Sequence, residues 1–355
     1  MKRTGNVFFL LALVLSIIGV VFIYSASSYW SEVHYKDQTP FYLKQMLFLL
    51  LALIVYYTVV RLQLKQQKLW AFFYIISILL LIVVCIPGIG VERNGSRSWI
   101  AFGPLLLQPA ELAKITTLVI LSFMLAKHKR GESRVRLSHF VIVGIPVGLI
   151  MLQPDFGSAF ILIVAVFVLF FIAQYPYWFY TVILVSGIVG VAYLIFSEPY
   201  RLRRIQSFLD PWQDPLGSGF QAVQSLLAIG PGGLFGQGFL KSRQKYLYLP
   251  EPQNDFIFSI ILEEIGFVGG VSIICIFACF LYTGFMLAKQ AVYLKQFYVI
   301  SSLLCMLAIQ ILLNLGVVTG VLPVTGVTLP FISYGGSSLL IVWITVAVIV
   351  NFSKE

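Results

Sequence analysis

Apolar residues run along the chain in stretches near twenty residues, the length that crosses a bilayer as a helix, broken by short polar segments. About ten such spans are expected: Val7–Tyr24, Phe41–Val60, Leu69–Ile86, Pro109–Ala126, Phe140–Leu152, Phe156–Ala173, Tyr177–Phe196, Asp255–Leu287, Phe297–Gly316 and Tyr334–Asn351. The fifth is short. The eighth is long enough to tilt or to project beyond the bilayer. Met1–Asn6 followed by Val7–Ile23 has the outline of a signal peptide, but more spans follow and no small-residue cleavage site stands out. The first span is therefore read as a retained helix.

The basic residues of the short breaks orient the bundle. Lys2, Arg3, Arg61, Lys65, Lys68, Lys127, Lys129, Arg130, Arg134, Arg136, Lys289, Lys295 and Lys354 all fall on one side, which places both termini in the cytoplasm. The Gly/Pro-rich segment Ser197–Asn254 then forms one large loop outside. The predicted fold is an all-α polytopic membrane protein.

Composition agrees: of 355 residues 59% are hydrophobic and 11% charged, with mean hydropathy +0.95. A soluble domain is excluded. Cys85, Cys275, Cys279 and Cys305 all lie in apolar runs, so neither a disulfide framework nor a zinc site is expected.

The outer segments carry more positive charge than orientation needs: Arg93 and Arg97, then Arg201, Arg203 and Arg204, then Lys241, Arg243 and Lys245. They suit either anionic lipid headgroups or an anionic substrate such as a pyrophosphate. Nucleic acid is not an expected partner, because no recognition motif is present. The glycines of GPGGLFGQG lack the Gly-Lys-Ser/Thr of a nucleotide loop and read as a tight turn re-entering the membrane interface. Gly144/Gly148, Gly266/Gly270 and Gly316/Gly320 have the spacing of close helix packing.

Asp255 stands where the outer loop meets a membrane helix. As a cap it would favour the positive end of the helix dipole; as chemistry it would serve as a base or metal ligand. Gln253 precedes it, and Ser259 and Glu263 continue its stripe at intervals of four. Glu111 and Lys114 share a face of the fourth span. Lys114 and the eighth-span pair Glu263 and Glu264 lie at similar depth, so an interhelical Lys114–Glu263 or Lys114–Glu264 pair is expected. Asp155 is read as a helix cap with a minor catalytic prospect.

The strings GSRSWIAFGPLLLQPAELAKI, QPDFGSA, FLDPWQDPLGSGFQAVQSLLAIGPGGLFGQG, SRQKYLYLPEPQNDFIFSIILEEIGFVGG and LPFISYGGSS together resemble the SEDS family, which includes FtsW, RodA and SpoVE. SRQKYLYLPEPQNDFIF is closer to the FtsW/SpoVE branch. The resemblance covers nearly the whole chain and implies one integral membrane domain over residues 1–355. It implies a peptidoglycan glycosyltransferase that polymerises lipid II outside the bacterial cytoplasmic membrane, holding undecaprenyl-linked glycan. The implied partners are a class B penicillin-binding protein and other membrane proteins of the division or elongation machinery. The family's essential aspartate matches Asp255.

On that reading Asp255 takes the proton of the attacking sugar hydroxyl or holds a divalent cation, Mg or Mn, that neutralises the pyrophosphate. Arg97, Lys114, Arg203, Arg204, Lys241, Arg243 and Gln253 are the candidate substrate-binding residues. Glu111, Ser259, Glu263 and Glu264 support them. The rival reading is a transporter that flips lipid II without forming a bond. Against it, the charges gather on one side rather than at the midplane, and no internal repeat is evident.

Overall fold

The computed structural model describes residues 2–35, 40–93, 96–103, 105–127, 136–182, 185, 208–217, 219–246 and 248–354. It is a helical membrane bundle of α1 (Lys2–Tyr35), α2 (Pro40–Arg61), α3 (Gln67–Cys85), α4 (Pro109–Leu125), α5 (Leu137–Leu152), α6 (Phe156–Ile172), α7 (Phe220–Gly232), α8 (Ile257–Lys289), α9 (Leu294–Val318) and α10 (Gly336–Ser353). Nine of these coincide with expected spans. The seventh span is helical over 177–182; most of the rest of it lies outside the described residues. Of the described helices, α1, α2, α3, α8, α9 and α10 are long and apolar enough to cross a membrane, and α5 and α6 are shorter apolar helices.

The middle of the bundle is α4, α9 and α10. Helix α4 buries nearly every residue from Pro109 to Phe123, as expected of a helix apolar on all sides. It packs on α3, α5, α6 and α9, while α8 packs on α1, α7 and α9. On the outside, Leu47, Leu50 and Ile54 of α2 and Phe72, Ile75 and Leu79 of α3 are exposed. In a membrane protein such a face meets lipid tails rather than water.

Beside the helices lies a three-stranded antiparallel sheet that the all-α reading did not include, with Arg93 on its first strand and Arg97 on its second: β1 (Gly90–Arg93), β2 (Ser96–Phe102) and β3 (Leu105–Leu107). Gly90 pairs with Ile100 and Arg93 with Ser96. Asn94–Gly95 between alternating residues is a strong hairpin signal that the helical bias of the chain obscured. The outer segment, likewise, is not loop throughout. Helix α7 folds it back against α8 and α9, burying Val223, Ser225, Ala228 and Gly232.

Of the glycine pairs, Gly144/Gly148 makes no close packing contact, and each of the other two contains one glycine outside regular helix. A side chain at Gly144 or Gly148 would meet nothing within 4 Å. Gly266, at φ 68°, breaks α8, and Gly320, at φ 73°, follows the end of α9. The break is closed by the turn after α7. Gln237 and Gly238 donate to the freed carbonyls of Glu263 and Glu264 at 2.9 and 3.0 Å, and Phe267 and Val268 donate to Gly233 and Leu234 at 2.9 and 3.0 Å. A Cβ at Gly236 would sit 2.1 Å from the Glu264 carbonyl oxygen, so only glycine permits the approach. The tight turn expected from the sequence is thus present, and it meets α8 about 14 Å along the helix from its first residue.

Candidate functional site

Asp255 lies in the loop before α8 and is not its cap. Phe256 holds the N-cap position with no side-chain capping bond. The loop is fixed by main-chain contacts instead. Asn314 of α9 donates from Nδ2 to the Asp255 carbonyl and to the Val327 carbonyl, both at 2.7 Å. The Tyr334 amide donates to the Gln253 carbonyl at 2.8 Å. Gly326 (φ 70°) faces the acid, and a Cβ there would lie 3.6 Å from Asp255 Oδ2. Space is therefore left beside the carboxylate.

Among the described residues no donor reaches the Asp255 carboxylate, which is partly exposed. Burial, and then the neighbouring Glu251, push its pKa up to about 6. Gln253 is buried and its Oε1 has no partner; Asn254 Nδ2 donates to Glu251 Oε2 at 2.6 Å. This corner offers a poised base flanked by amides.

The charged residues of the spans pair differently from the expectation. Lys114 is fully buried and its Nζ donates to Glu111 Oε1 at 2.7 Å, one turn away on the same helix. It does not reach Glu263 or Glu264, because α4 and α8 are not packed neighbours: equal depth fixes height in a bundle, not lateral position. Ser259 meets Ser225 of α7 at 2.7 Å, and Ser225 donates on to the Val318 carbonyl at 2.7 Å. Glu263 accepts from the Ser242 hydroxyl and from the Arg243 amide, the latter at 2.8 Å. Glu264 accepts from Ser25 Oγ of α1 at 2.5 Å and faces Lys245 Nζ at 3.8 Å. Lys245 is buried, and that burial lowers its pKa against the opposing pull of Glu264.

Of the outer cations, Lys241 and Arg243 are exposed on the loop that Glu263 holds. Arg97 sits on β2, 3.9 Å from Glu92 with both side chains well exposed, a surface pair of little energetic weight. Arg203 and Arg204 lie outside the described residues. Asp155 caps α6, accepting from the Ser158 amide at 3.1 Å, and takes a second bond from Gln108 Nε2 at 2.7 Å. Asn314, Gly326, Gln108 and Ser25 were not singled out from the sequence. A lone Asn in an apolar helix is the one signal that could have found Asn314.

The sequence matches the family model described as cell cycle protein, which covers FtsW, RodA and SpoVE, over residues 5–355. It is 41% identical over 349 residues to stage V sporulation protein E of Bacillus subtilis, covering 97% of this chain and 95% of that one. It is 38% identical to a probable peptidoglycan glycosyltransferase FtsW of Saccharophagus degradans, covering 95% and 89%. The fold superposes on a chain of a peptidoglycan synthase complex, solved in work on polymerization and crosslinking, with TM-score 0.81 and 31% identity over 98% and 96% of the chains. It superposes on the rod shape determining protein RodA of Thermus thermophilus with TM-score 0.70 and 29% identity over 98% and 95%.

Proposed function

The chain belongs to the FtsW/RodA/SpoVE family of cell cycle proteins, multi-pass membrane proteins, and from that premise we propose that it is a peptidoglycan glycosyltransferase acting on lipid II. The observation that carries the chemistry is the Asp255 carboxylate: its pKa pushed up to about 6 by burial, bound by no described donor, and with no side chain on the facing Gly326. In the reaction the 4-hydroxyl of one sugar attacks the anomeric carbon of the next. A glycosidic C–O bond forms, the bond from that carbon to the pyrophosphate oxygen breaks, and the lipid pyrophosphate leaves with the bonding electrons. The hydroxyl proton goes to Asp255. One base and charge stabilisation of the leaving group suffice for inversion without a covalent intermediate.

On this reading the positive outer loops supply that stabilisation, with Lys241 and Arg243 as the candidates for the pyrophosphate among the described residues. The site lies on the outer face of the membrane. A magnesium or manganese ion is typically held by one or two carboxylates together with substrate phosphates. As the alternative to its role as base, Asp255 with Glu251 beside it fits that donor set. The ion would neutralise charge on the departing pyrophosphate. A class B penicillin-binding protein is the partner that crosslinks the product, a proposal supported by the likeness to a chain of a peptidoglycan synthase complex.

The transporter reading loses support at Gly266. Broken helices in carriers present freed backbone groups to a midplane substrate. Here the break's amides and carbonyls bond to the chain's own turn. The deciding experiment gives lipid II and magnesium to the purified protein with its partner in nanodiscs. Glycan chains from the native protein and none from Asp255→Asn support the enzyme; lipid II translocation in vesicles without chains overturns it.

A further inference from the structure

Lys241 and Arg243 are exposed, and among the described residues no acid pairs with either. Their neighbour Lys245 is buried, faces Glu264 and donates to the Leu240 carbonyl at 2.5 Å. The short loop therefore carries two cations unpaired among the described residues, Lys241 and Arg243, followed by one neutralised cation, Lys245.

The loop is shaped by two buried carboxylates of α8. Glu263 Oε1 accepts from the Arg243 amide at 2.8 Å; Oε2 accepts from the Ser242 hydroxyl and, at 3.4 Å, from the Gln244 amide. Three successive residues wrap one carboxylate. Glu264 Oε1 adds the Ser242 amide at 3.4 Å. Burying carboxylates is costly, and main-chain bonds alone can hold a structural turn. What Glu263 adds is a fixed backbone for the residues carrying the free cations. Its own position is set by the Gly266 break, whose partners Gln237 and Gly238 lie just ahead of the loop.

We infer that Glu263 is a positioning residue: by fixing the Ser242–Gln244 backbone it holds Lys241 and Arg243 preorganised for the pyrophosphate of a lipid-linked substrate. The inference rests on the glycosyltransferase reading. Preorganised cations gain affinity because little ordering remains to be done on binding. A mobile loop with the same charges would bind more weakly.

The test uses the full chain with its partner in nanodiscs, comparing native protein with Glu263→Gln, with Lys241→Gln plus Arg243→Gln, and with all three changes. Gln keeps one acceptor and turns the other oxygen into a donor, so the Ser242, Arg243 and Gln244 groups can no longer all donate to it. Two quantities are read: kcat/KM for lipid II, and inhibition by inorganic pyrophosphate as its magnesium complex. Glu263→Gln is expected to lower kcat/KM about tenfold and to weaken pyrophosphate inhibition by a similar factor. The triple variant should show no further loss, because Glu263 acts through the two cations. Additive losses, or unchanged pyrophosphate inhibition in Glu263→Gln, overturn the inference. So does a defect that disappears when phosphatidylglycerol is left out of the nanodisc, which would make the loop a headgroup site. If Glu263→Gln does not fold, Ser242→Ala removes one bond to the same carboxylate and should give the same pattern at about threefold. If the native protein makes no glycan, the glycosyltransferase reading falls. Calorimetric binding of magnesium pyrophosphate to the same variants then still decides the role of Glu263.

Discussion

Asp255→Asn is expected to make the protein more stable while removing its chemistry. The carboxylate neither caps α8 nor receives a described hydrogen bond, and Glu251, the acid whose charge acts on it, has the same sign. Burial first, and Glu251 second, raise its pKa from 3.8 to about 6. A raised folded-state pKa means that the folded protein binds the proton more tightly than the unfolded chain. Stability therefore falls as pH rises from about 4 to about 6, and the full penalty applies above that window. At 1.36 kcal/mol per unit the penalty is about 3 kcal/mol, and partial exposure of the group reduces it to roughly 1–3 kcal/mol. Asn removes the charge and keeps the backbone bond from Asn314 Nδ2 to the residue 255 carbonyl. Thermal and denaturant unfolding of both proteins in nanodiscs at roughly pH 5 and pH 8 measures the difference. The advantage of Asn should be larger at the higher pH by about 1 kcal/mol. Equal stabilities at both pH values, or a less stable Asn protein, would refute the reasoning, because the carboxylate would then be satisfied by a donor and not poised by desolvation.

Three further outcomes follow from the same geometry. Polymerisation rate should rise as pH passes through about 6 and level off above it, and Glu251→Gln should shift that midpoint downward by removing the second cause of the raised pKa; a pH–rate profile measures both. Lys114→Met leaves Glu111 buried without its ammonium and should cost about 3–5 kcal/mol in unfolding experiments, most of it recovered by adding Glu111→Gln and none by adding Glu264→Gln. Gly266→Ala places a Cβ 2.3 Å from the Gly236 amide nitrogen at a φ of 68°, so it should destabilise by about 3 kcal/mol or more, read as lost expression and a lowered Tm.

The sequence by itself determined the membrane bundle, most span boundaries and the place of Asp255 at the mouth of the eighth span. Those follow from local rules: hydrophobic length sets a span, and a charge beside an apolar run stands out. Three matters needed the tertiary structure. The partner of Lys114 was one, since helix order does not give lateral packing, and the neighbour one turn away outcompeted a glutamate on another helix. The meaning of Gly266 was another, because a glycine spaced for helix packing and a glycine that breaks a helix read alike until the turn that satisfies the freed amides and carbonyls is seen. The last was the surroundings of Asp255. Asn314 and Gly326 reach it from far along the chain, and only folding decides which distant residues leave a carboxylate partly buried and without a donor among the described residues.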